Sequence, residues 1–219
     1  MIKTKELFSL EHTLAADYLA SYEYPWQALK GISDFIKKTG PELDKNEFTQ
    51  ISPEVWVHKQ ARIAPTAFIG APCIIGRNTE VRHCAFIRGS ALIGEGCVIG
   101  NSTEVKNAII FDCVQVPHYN YVGDSILGYK AHLGAGAVTS NVKSDKTPVK
   151  VKNGDEIIET GLKKFGAMVG DCVEVGCNSV LNPGTVIGKN TNIYPLSRVR
   201  GVIKESSIFK EENNITEKR

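Results

Sequence analysis

An aliphatic residue recurs at every sixth position through most of the chain, and a small residue usually stands two positions before it. The aliphatic positions are Ile63, Ile69, Ile75, Val81, Ile87, Ile93, Ile99, Val105, Val169, Val175, Leu181, Ile187, Ile193 and Val199. Neither a helix nor a plain alternating strand has a six-residue period. The pattern predicts a β-solenoid in which three hexads form one triangular coil of about 18 residues and the coils stack into a column.

Glycine follows the aliphatic residue in many of these hexads. The glycines concerned are Gly70, Gly76, Gly94, Gly100, Gly170, Gly176 and Gly188. Glycine tolerates a positive φ better than any other residue. We therefore expect these glycines to occupy turns with positive φ between the short strands.

The rest of the chain departs from the repeat in three places. Residues 1–50 carry apolar residues at helical spacing, which predicts a short helical segment that packs against the end of the solenoid or a neighbouring subunit. The solenoid itself is predicted over residues 51–203. Its pattern is lost at residues 139–166, where an Asn-Gly pair between two alternating runs predicts an extruded loop and hairpin. Residues 204–219 are charged and poorly patterned, which predicts a C-terminal tail.

Composition narrows the class of partner. The 219 residues have a formal net charge of only +2, which gives no electrostatic reason to expect nucleic acid or an anionic membrane as a partner. No apolar run approaches the ~20 residues of a membrane helix. The start of the sequence lacks the features of a signal peptide, so we expect a cytoplasmic protein. The six cysteines show no close pairing and predict reduced, structural thiols.

Candidate chemistry lies where the repeat is interrupted. His118 and Tyr121 stand in this region, and Arg88 and Lys106 precede the histidine by less than two coils. Stacked coils of about 18 residues turn such separations into spatial proximity. Two cations, an imidazole and a phenol predict a site for a phosphorylated substrate with a general base beside it.

From Arg88 to Asn141 the chain resembles a known family without a gap. The family is the left-handed β-helix acetyltransferase domain of the bifunctional N-acetylglucosamine-1-phosphate uridyltransferase/glucosamine-1-phosphate acetyltransferases and of archaeal sugar-phosphate nucleotidyltransferases. The family's arginine falls on Arg88, and its lysine falls on Lys106 within Glu-Val-Lys. Its catalytic histidine and the following tyrosine fall on His118 and Tyr121 in HYNYVGD, and a later asparagine falls on Asn141.

The resemblance implies a fold and a substrate. It implies an all-β, left-handed parallel β-helix with a short helical N-terminal segment. Arg88 and Lys106 would hold the phosphate of an amino-sugar phosphate such as glucosamine 1-phosphate, and Tyr121 and Asn141 would orient the sugar. His132 occupies a position, between the catalytic histidine and Asn141, at which the family has an asparagine. His132 is therefore also placed among the substrate-binding residues.

The resemblance also implies a reaction and an assembly. His118 would accept a proton from the sugar amine as the amine attacks the thioester of acetyl-CoA, a task suited to an imidazole near neutral pH. The backbone amide of Ala135 would stabilise the oxyanion, and Cys177 would lie near the thioester. No metal is expected. Columns of this type typically pair around a threefold axis, so we expect a homotrimer with its sites between columns and the hairpin over a neighbour's site.

Two other functions compete with the acetyltransferase hypothesis. A zinc carbonic anhydrase of the hexapeptide class needs three converging histidines, and no close histidine pair is present. A non-catalytic module that binds a sugar phosphate or sugar nucleotide is the stronger alternative. No Gly-rich phosphate-binding loop opens a βα unit near the N-terminus, so we expect the chain to lack the nucleotidyltransferase domain.

Overall fold

The computed structural model describes residues 2–211 and 214–218 and contains a column of short parallel strands in triangular coils. Three faces, which we name A, B and C in chain order, recur in each full coil. Face A contains β2 (Val55–His58), β5 (Cys73–Ile75), β8 (Ala91–Ile93), the ends of β10 (Glu104–Ile110) and β12 (Tyr121–Leu127), then β17 (Ala167–Val169), β20 (Thr185–Ile187) and β23 (Val202–Ile203). Strands of this face pair in parallel with the strand one coil further along the chain, as in the pair of Cys73 with Ala91.

The other two faces are built in the same way. Face B contains β3 (Arg62–Ile63), β6 (Glu80–Val81), β9 (Val98–Asn101), β11 (Gln115–His118), β13 (His132–Leu133), β18 (Glu174–Val175), β21 (Asn192–Ile193) and β24 (Ser207–Glu211). Face C contains β4 (Phe68–Ile69), β7 (Phe86–Ile87), the starts of β10 and β12, then β14 (Val138–Thr139), β19 (Val180–Leu181) and β22 (Arg198–Val199). β10 and β12 run through the corner between faces C and A and join these faces into one sheet.

The hexad pattern matches the core. From Ile75 onward every aliphatic hexad position identified in the sequence is buried, and only Ile63 and Ile69, in the first coil, are partly exposed. The buried thiols of Cys73 and Cys97 fill small-residue positions. Burial raises the pKa of the Cys97 thiol to about 12, so this cysteine is protonated and acts as a small apolar side chain. The predicted left-handed parallel β-helix is confirmed.

The glycines after the hexads have a different role from the one expected. None of the seven has a positive φ; the left-handed corner positions are instead held mostly by residues such as Asn78, Cys84 and Asn178. A Cβ on Gly100 would lie 1.6 Å from the carbonyl oxygen of Pro117 in the next coil. Glycine is therefore required there because adjacent coils approach too closely for a side chain.

The N-terminal segment lies along face A. It contains α1 (Thr4–Leu7), α2 (Ala16–Ala20), α3 (Ile32–Thr39) and the 3₁₀ helices Leu10–His12, Pro25–Gly31 and Gly40–Glu42. α3 packs against β8 and β10, and the 3₁₀ helix Pro25–Gly31 packs against β12. Outward residues of face A, such as Leu92 and Ile126, are buried as a result. The segment covers a side of its own column rather than the column's end.

Antiparallel strands lie at both ends of the column. β1 (Phe48–Ser52) pairs with β2, and β25 (Asn214–Glu217) pairs with β24. The described part of residues 204–219 therefore contains strands where the sequence predicts only a charged tail. Covering the terminal strands protects edges that are otherwise open to pairing with another chain. No helix within residues 2–211 and 214–218 is long and apolar enough to cross a membrane.

The interruption predicted at residues 139–166 is a hairpin at the corner between faces C and A. It consists of β15 (Val149–Asn153) and β16 (Glu156–Leu162), paired antiparallel. Ile126 in β12 pairs with Met168 in β17, so the coil between these two residues contains the whole hairpin and is much longer than its neighbours. Trp26 of the N-terminal segment stacks on Phe165 at the base of the hairpin, with ring centroids 5.7 Å apart.

Candidate functional site

A buried carboxylate organises the corner where face C turns into face A. Asp124 is only 4% exposed and accepts hydrogen bonds from Nδ2 of Asn107 at 2.8 Å and from Nδ2 of Asn141. Its Oδ2 also lies 3.3 Å from Nζ of Lys106. A buried carboxylate is stable when charged and neutral donors surround it in this way. Asp124 thus fixes the positions of two of the predicted substrate-binding residues, Lys106 and Asn141.

Arg88 lies at the same corner, one coil before Lys106, and has a carboxylate partner of its own. Its Nη1 lies 2.7 Å from Oε1 of Glu104, and both side chains are partly exposed. Glu104 is the register neighbour of Tyr121 in the next coil. An exposed ion pair of this kind contributes little to stability, so the guanidinium can exchange its partner for an anionic ligand.

Tyr121 spans the outer surface of face C. It begins β12, and its hydroxyl accepts a hydrogen bond from Nδ2 of Asn141 at 3.1 Å. A Cβ on Gly123 would lie 2.4 Å from that hydroxyl oxygen, so the phenol ring lies directly over the glycine. Partial burial, followed by the nearby charges of Asp124 and Glu104, raises the pKa of Tyr121. The phenol therefore stays protonated and keeps a proton to donate.

The corner between faces B and C holds a second group of predicted residues. His118 ends β11 with its side chain exposed, and its backbone carbonyl accepts the N–H of Gly136 at 3.0 Å. Ala135 therefore lies one coil beyond the histidine. Cys177 lies one coil further, because a Cβ on Gly134 would be 2.7 Å from the Cys177 backbone nitrogen. The structure thus brings His118, Ala135 and Cys177 into successive coils at one corner.

Asn120 ties these coils together. It is buried, and its Oδ1 accepts the backbone N–H of His118 at 3.0 Å. Its Nδ2 donates to the carbonyls of Gly134 at 2.8 Å and Ala137 at 3.1 Å, on both sides of Ala135. Among the described residues, the N–H of Ala135 meets no hydrogen-bond acceptor. The buried side chain of Asn120 therefore holds the backbone of His118 next to the bend at Ala135. The His118 imidazole is exposed at this bend, and the Ala135 N–H is available to a ligand.

The structure does not bring His132 into either corner. It lies on face B, and its Nδ1 is 2.7 Å from Oε2 of Glu174 in the next coil. His83 also lies apart, with its Nδ1 2.7 Å from Oγ1 of Thr66. Within the described ranges, no three His, Cys, Asp or Glu side chains are grouped so that they could hold a metal ion.

Four residues that position the predicted ones are not among the sequence predictions, namely Glu104, Asn120, Gly123 and Asp124. Coil spacing provides a signal for the two acids. Asp124 follows Lys106 by about one coil, and Glu104 follows Arg88 by nearly the same distance along the chain. The spacing of about one coil therefore also predicts a carboxylate beside each cation, as the structure shows. No comparable sequence signal distinguishes Asn120 or Gly123, because their roles depend on hydrogen bonding and ring packing.

The candidate site extends across face C from one corner to the other. His118, Ala135 and Cys177 border one edge, and Arg88, Lys106 and Asn141 border the opposite edge. Tyr121 connects the edges, since it follows His118 closely in the chain and hydrogen-bonds Asn141. Outer side chains of face C such as Phe86 and Val180 are exposed, so this surface is open to a ligand.

Several known proteins with similar sequences are described as bifunctional. No family model matches the chain. It is 34% identical over 200 residues to the bifunctional protein GlmU of Methanococcus maripaludis, covering 90% of this chain and 48% of the relative. It is 34% identical over 105 residues to a bifunctional sugar-1-phosphate nucleotidylyltransferase/acetyltransferase of Sulfurisphaera tokodaii, covering 48% of this chain and 26% of the relative. The chain thus spans about half the length, or less, of these relatives.

The solved structures that match this chain at low similarity include acyltransferases. One is the UDP-N-acetylglucosamine acyltransferase of Campylobacter jejuni, with a TM-score of 0.41, 14% identity and 73% coverage of each chain. Another is PerB of Caulobacter crescentus in complex with CoA and GDP-perosamine, with a TM-score of 0.39 and 17% identity over 85% of this chain and 66% of that one. The family resemblance seen in the sequence is confirmed by the relatives: the chain is related to the acetyltransferase region of the bifunctional GlmU and sugar-1-phosphate nucleotidylyltransferase/acetyltransferase proteins.

Proposed function

We propose that this protein is a sugar N-acetyltransferase that uses acetyl-CoA and acts on an amino-sugar phosphate such as glucosamine 1-phosphate. The observation that carries the proposal is the arrangement across face C. An exposed imidazole beside an unused backbone N–H borders one edge, and cations with a phenol and an amide border the other. Sequence similarity to a sugar-1-phosphate nucleotidylyltransferase/acetyltransferase supports the same substrate class.

In the proposed reaction His118 is the general base. The sugar amine must be neutral to attack the thioester carbonyl, and the imidazole accepts the proton that the amine loses as the new C–N bond forms. The N–H of Ala135 donates to the oxyanion of the tetrahedral intermediate. When the C–S bond breaks, the imidazolium returns its proton to the departing CoA thiolate. Cys177, one coil beyond Ala135, lies beside the path of the thioester.

The opposite edge binds the sugar phosphate in this proposal. Arg88 is the more available cation, because its pair with Glu104 is partly exposed, and a guanidinium can bind phosphate through two parallel hydrogen bonds. Lys106 keeps its ion pair with the buried Asp124, and its positive charge adds to the attraction for the phosphate. Tyr121 then donates to a sugar oxygen, because its hydroxyl only accepts from Asn141, and the Asn141 Oδ1 accepts from a sugar hydroxyl. Together they orient the amine toward His118. His132, which pairs with Glu174 on face B, has no part in this arrangement.

Release of free CoA from acetyl-CoA in the presence of glucosamine 1-phosphate tests the function. We expect CoA release to depend on the amino-sugar phosphate and to be absent with the corresponding N-acetylated sugar, which has no free amine. Binding of sugar phosphates without CoA release, for every amino sugar tried, would contradict the enzyme hypothesis and support the non-catalytic binding module. A cytoplasmic location, predicted from the sequence, is proposed together with this use of acetyl-CoA.

We propose a homotrimer because face C presents apolar side chains to solvent. Phe68 and Phe86 are stacked edge to face on its outer surface, with centroids 5.5 Å apart, and are 59% and 42% exposed. Val180 continues the same outer row and is also exposed. Exposed apolar surface of this kind is typical of an interface. A neighbouring column at face C would also provide the second wall that a ligand as long as CoA requires.

We expect sedimentation equilibrium to give a trimer for the unmodified protein and a monomer for Phe86→Glu, because a carboxylate in an apolar interface loses its hydration. Leu14→Glu is the matched control, since Leu14 is 50% exposed on the N-terminal segment and should leave the assembly unchanged. A monomer for the unmodified protein, or a trimer in Phe86→Glu, would be inconsistent with an interface at face C.

A further inference from the structure

A small basic cavity lies between the hairpin and the column, in the coils beyond Asn141. Its volume is about 120 Å³, and its lining residues are Lys143, Lys150, Lys152, Pro183, Arg200 and Gly201. All four ionisable residues in the lining are therefore cations. A water molecule occupies about 30 Å³ of liquid, so the cavity has room for a small polyatomic anion.

The hairpin is held close to the column at this point. Val149 and Val151 of β15 are buried, whereas Lys150 and Lys152 alternate with them and are exposed. A Cβ on Gly184 would lie 2.7 Å from the carbonyl oxygen of Lys150, and a Cβ on Gly201 would lie 2.8 Å from that of Lys152. Because the backbones touch at two successive coils, the backbone of β15 is held beside Arg200 and Gly201.

Nearby acids compensate only part of the positive charge. Lys143 pairs with Asp145 at 3.1 Å, and Lys150 pairs with Glu159 at 2.6 Å. Within residues 2–211 and 214–218, neither Lys152 nor Arg200 has an ion pair or side-chain hydrogen bond. Like charges that converge without a partner repel one another, and a bound anion removes that repulsion.

We propose that this cavity is a phosphate-binding site, formed by the hairpin lysines and Arg200. Phosphate fits because guanidinium and ammonium groups provide charge-assisted hydrogen bonds to its several oxygens. The site is separate from Arg88 and Lys106. Ser140 donates its backbone N–H to Leu181, so Pro183 lies one coil beyond Asn141, and Arg200 lies one coil further. Each coil adds about 4.8 Å.

Calorimetric titration of the full chain with inorganic phosphate and with pyrophosphate tests the site. We expect the double variant Lys152→Gln/Arg200→Gln to weaken binding at least ~10-fold, because both uncompensated charges are lost. The control Lys30→Gln/Lys38→Gln removes the same charge from the N-terminal segment and should change binding less than twofold. Equal binding in both double variants, or no binding to the unmodified protein, would refute the proposal.

Two further binding measurements distinguish this site from a phosphate site at Arg88 and identify the molecule that carries the phosphate. Loss of phosphate binding in Arg88→Gln alone, with the Lys152/Arg200 variant unaffected, would also refute the proposal. If the cavity holds the 3′-phosphate of CoA, the unmodified protein binds CoA more tightly than dephospho-CoA and the double variant loses that difference. If the phosphate comes from a sugar phosphate or from free phosphate, the double variant keeps the difference and loses affinity for those ligands instead.

Discussion

Replacing His118 with alanine is expected to lower the turnover number for acetyl transfer by ~10²–10⁴-fold, the range typical of a lost general base. Affinity for the sugar phosphate should stay nearly unchanged, because the proposed phosphate and hydroxyl contacts lie at the opposite edge of face C. Stability should also be unaffected. The His118 side chain is exposed, and it is the backbone of this residue that Asn120 and Gly136 hold.

Steady-state kinetics with a thiol reagent for CoA, together with equilibrium binding of the sugar phosphate, measure these two effects separately. His132→Ala is the matched control: it removes an imidazole from face B, where the ring contacts Glu174, and should leave turnover within a few-fold of the unmodified protein. Unchanged turnover in His118→Ala would show that another group is the base. A large loss in His132→Ala would restore the substrate-binding role that its sequence position implied.

The fold was predictable because its determinants are local and periodic. An inward aliphatic residue at every sixth position specifies a stacked triangular coil whatever the surface residues are. The position of the N-terminal segment has a subtler signal. In face A the residue before the inward one is also apolar, as in Ile74, Leu92 and Met168, and all three are buried. An outward apolar row on a single face predicts that a further part of the chain covers it.

The glycines show where pattern reasoning gave the wrong physical cause. Glycine after a hexad suggested a turn with positive φ, but the close approach of Gly100 to Pro117 depends on the spacing between coils. That spacing is a property of the assembled column and is not visible in any one hexad. Conversely, Asn and even Cys residues have a positive φ at the corners of the coils. The position of a glycine therefore does not indicate where φ is positive.

The sequence predicts where the candidate site residues lie only in part, and it predicts their charged partners less well. Coil spacing places Arg88 and Lys106 at one corner, but His118, which the same spacing predicts close to them, lies at the opposite edge of face C. The ion-pair partners of these cations, Glu104 and Asp124, are not among the sequence predictions. His132 was misplaced because a family position implies a role without specifying which face the side chain occupies. Uncharged residues that position the site, such as Asn120, are hardest to predict. Asn120 hydrogen-bonds to backbone groups, which every residue has, so no pair of residue types at a fixed spacing indicates its role.

The substitution Asp124→Asn is expected to reduce both stability and substrate affinity. Every side-chain group bonded to the Asp124 carboxylate is a donor, from Lys106, Asn107 and Asn141. Asparagine keeps the shape and tolerates the φ of 48° at this position, but it removes the negative charge and turns one acceptor into a donor. We expect the free energy of unfolding to fall by about 2–3 kcal/mol, the range for a buried charged hydrogen-bond partner that is lost.

Asp171→Asn provides a closely matched control. Asp171 is also 4% exposed and lies 3.0 Å from Nζ of Lys189, and it accepts hydrogen bonds from the backbone N–H groups of Ser9 and Tyr129. It tethers the N-terminal segment and lies outside the candidate site. Chemical denaturation should therefore show a similar loss of stability in both variants. Only Asp124→Asn should raise the KM for the sugar phosphate, by ~10-fold, because only there do a substrate-binding lysine and asparagine lose their anchor. An equal rise of KM in Asp171→Asn would mean that the effect follows from general destabilisation, and that Asp124 has no specific role in positioning Lys106 and Asn141.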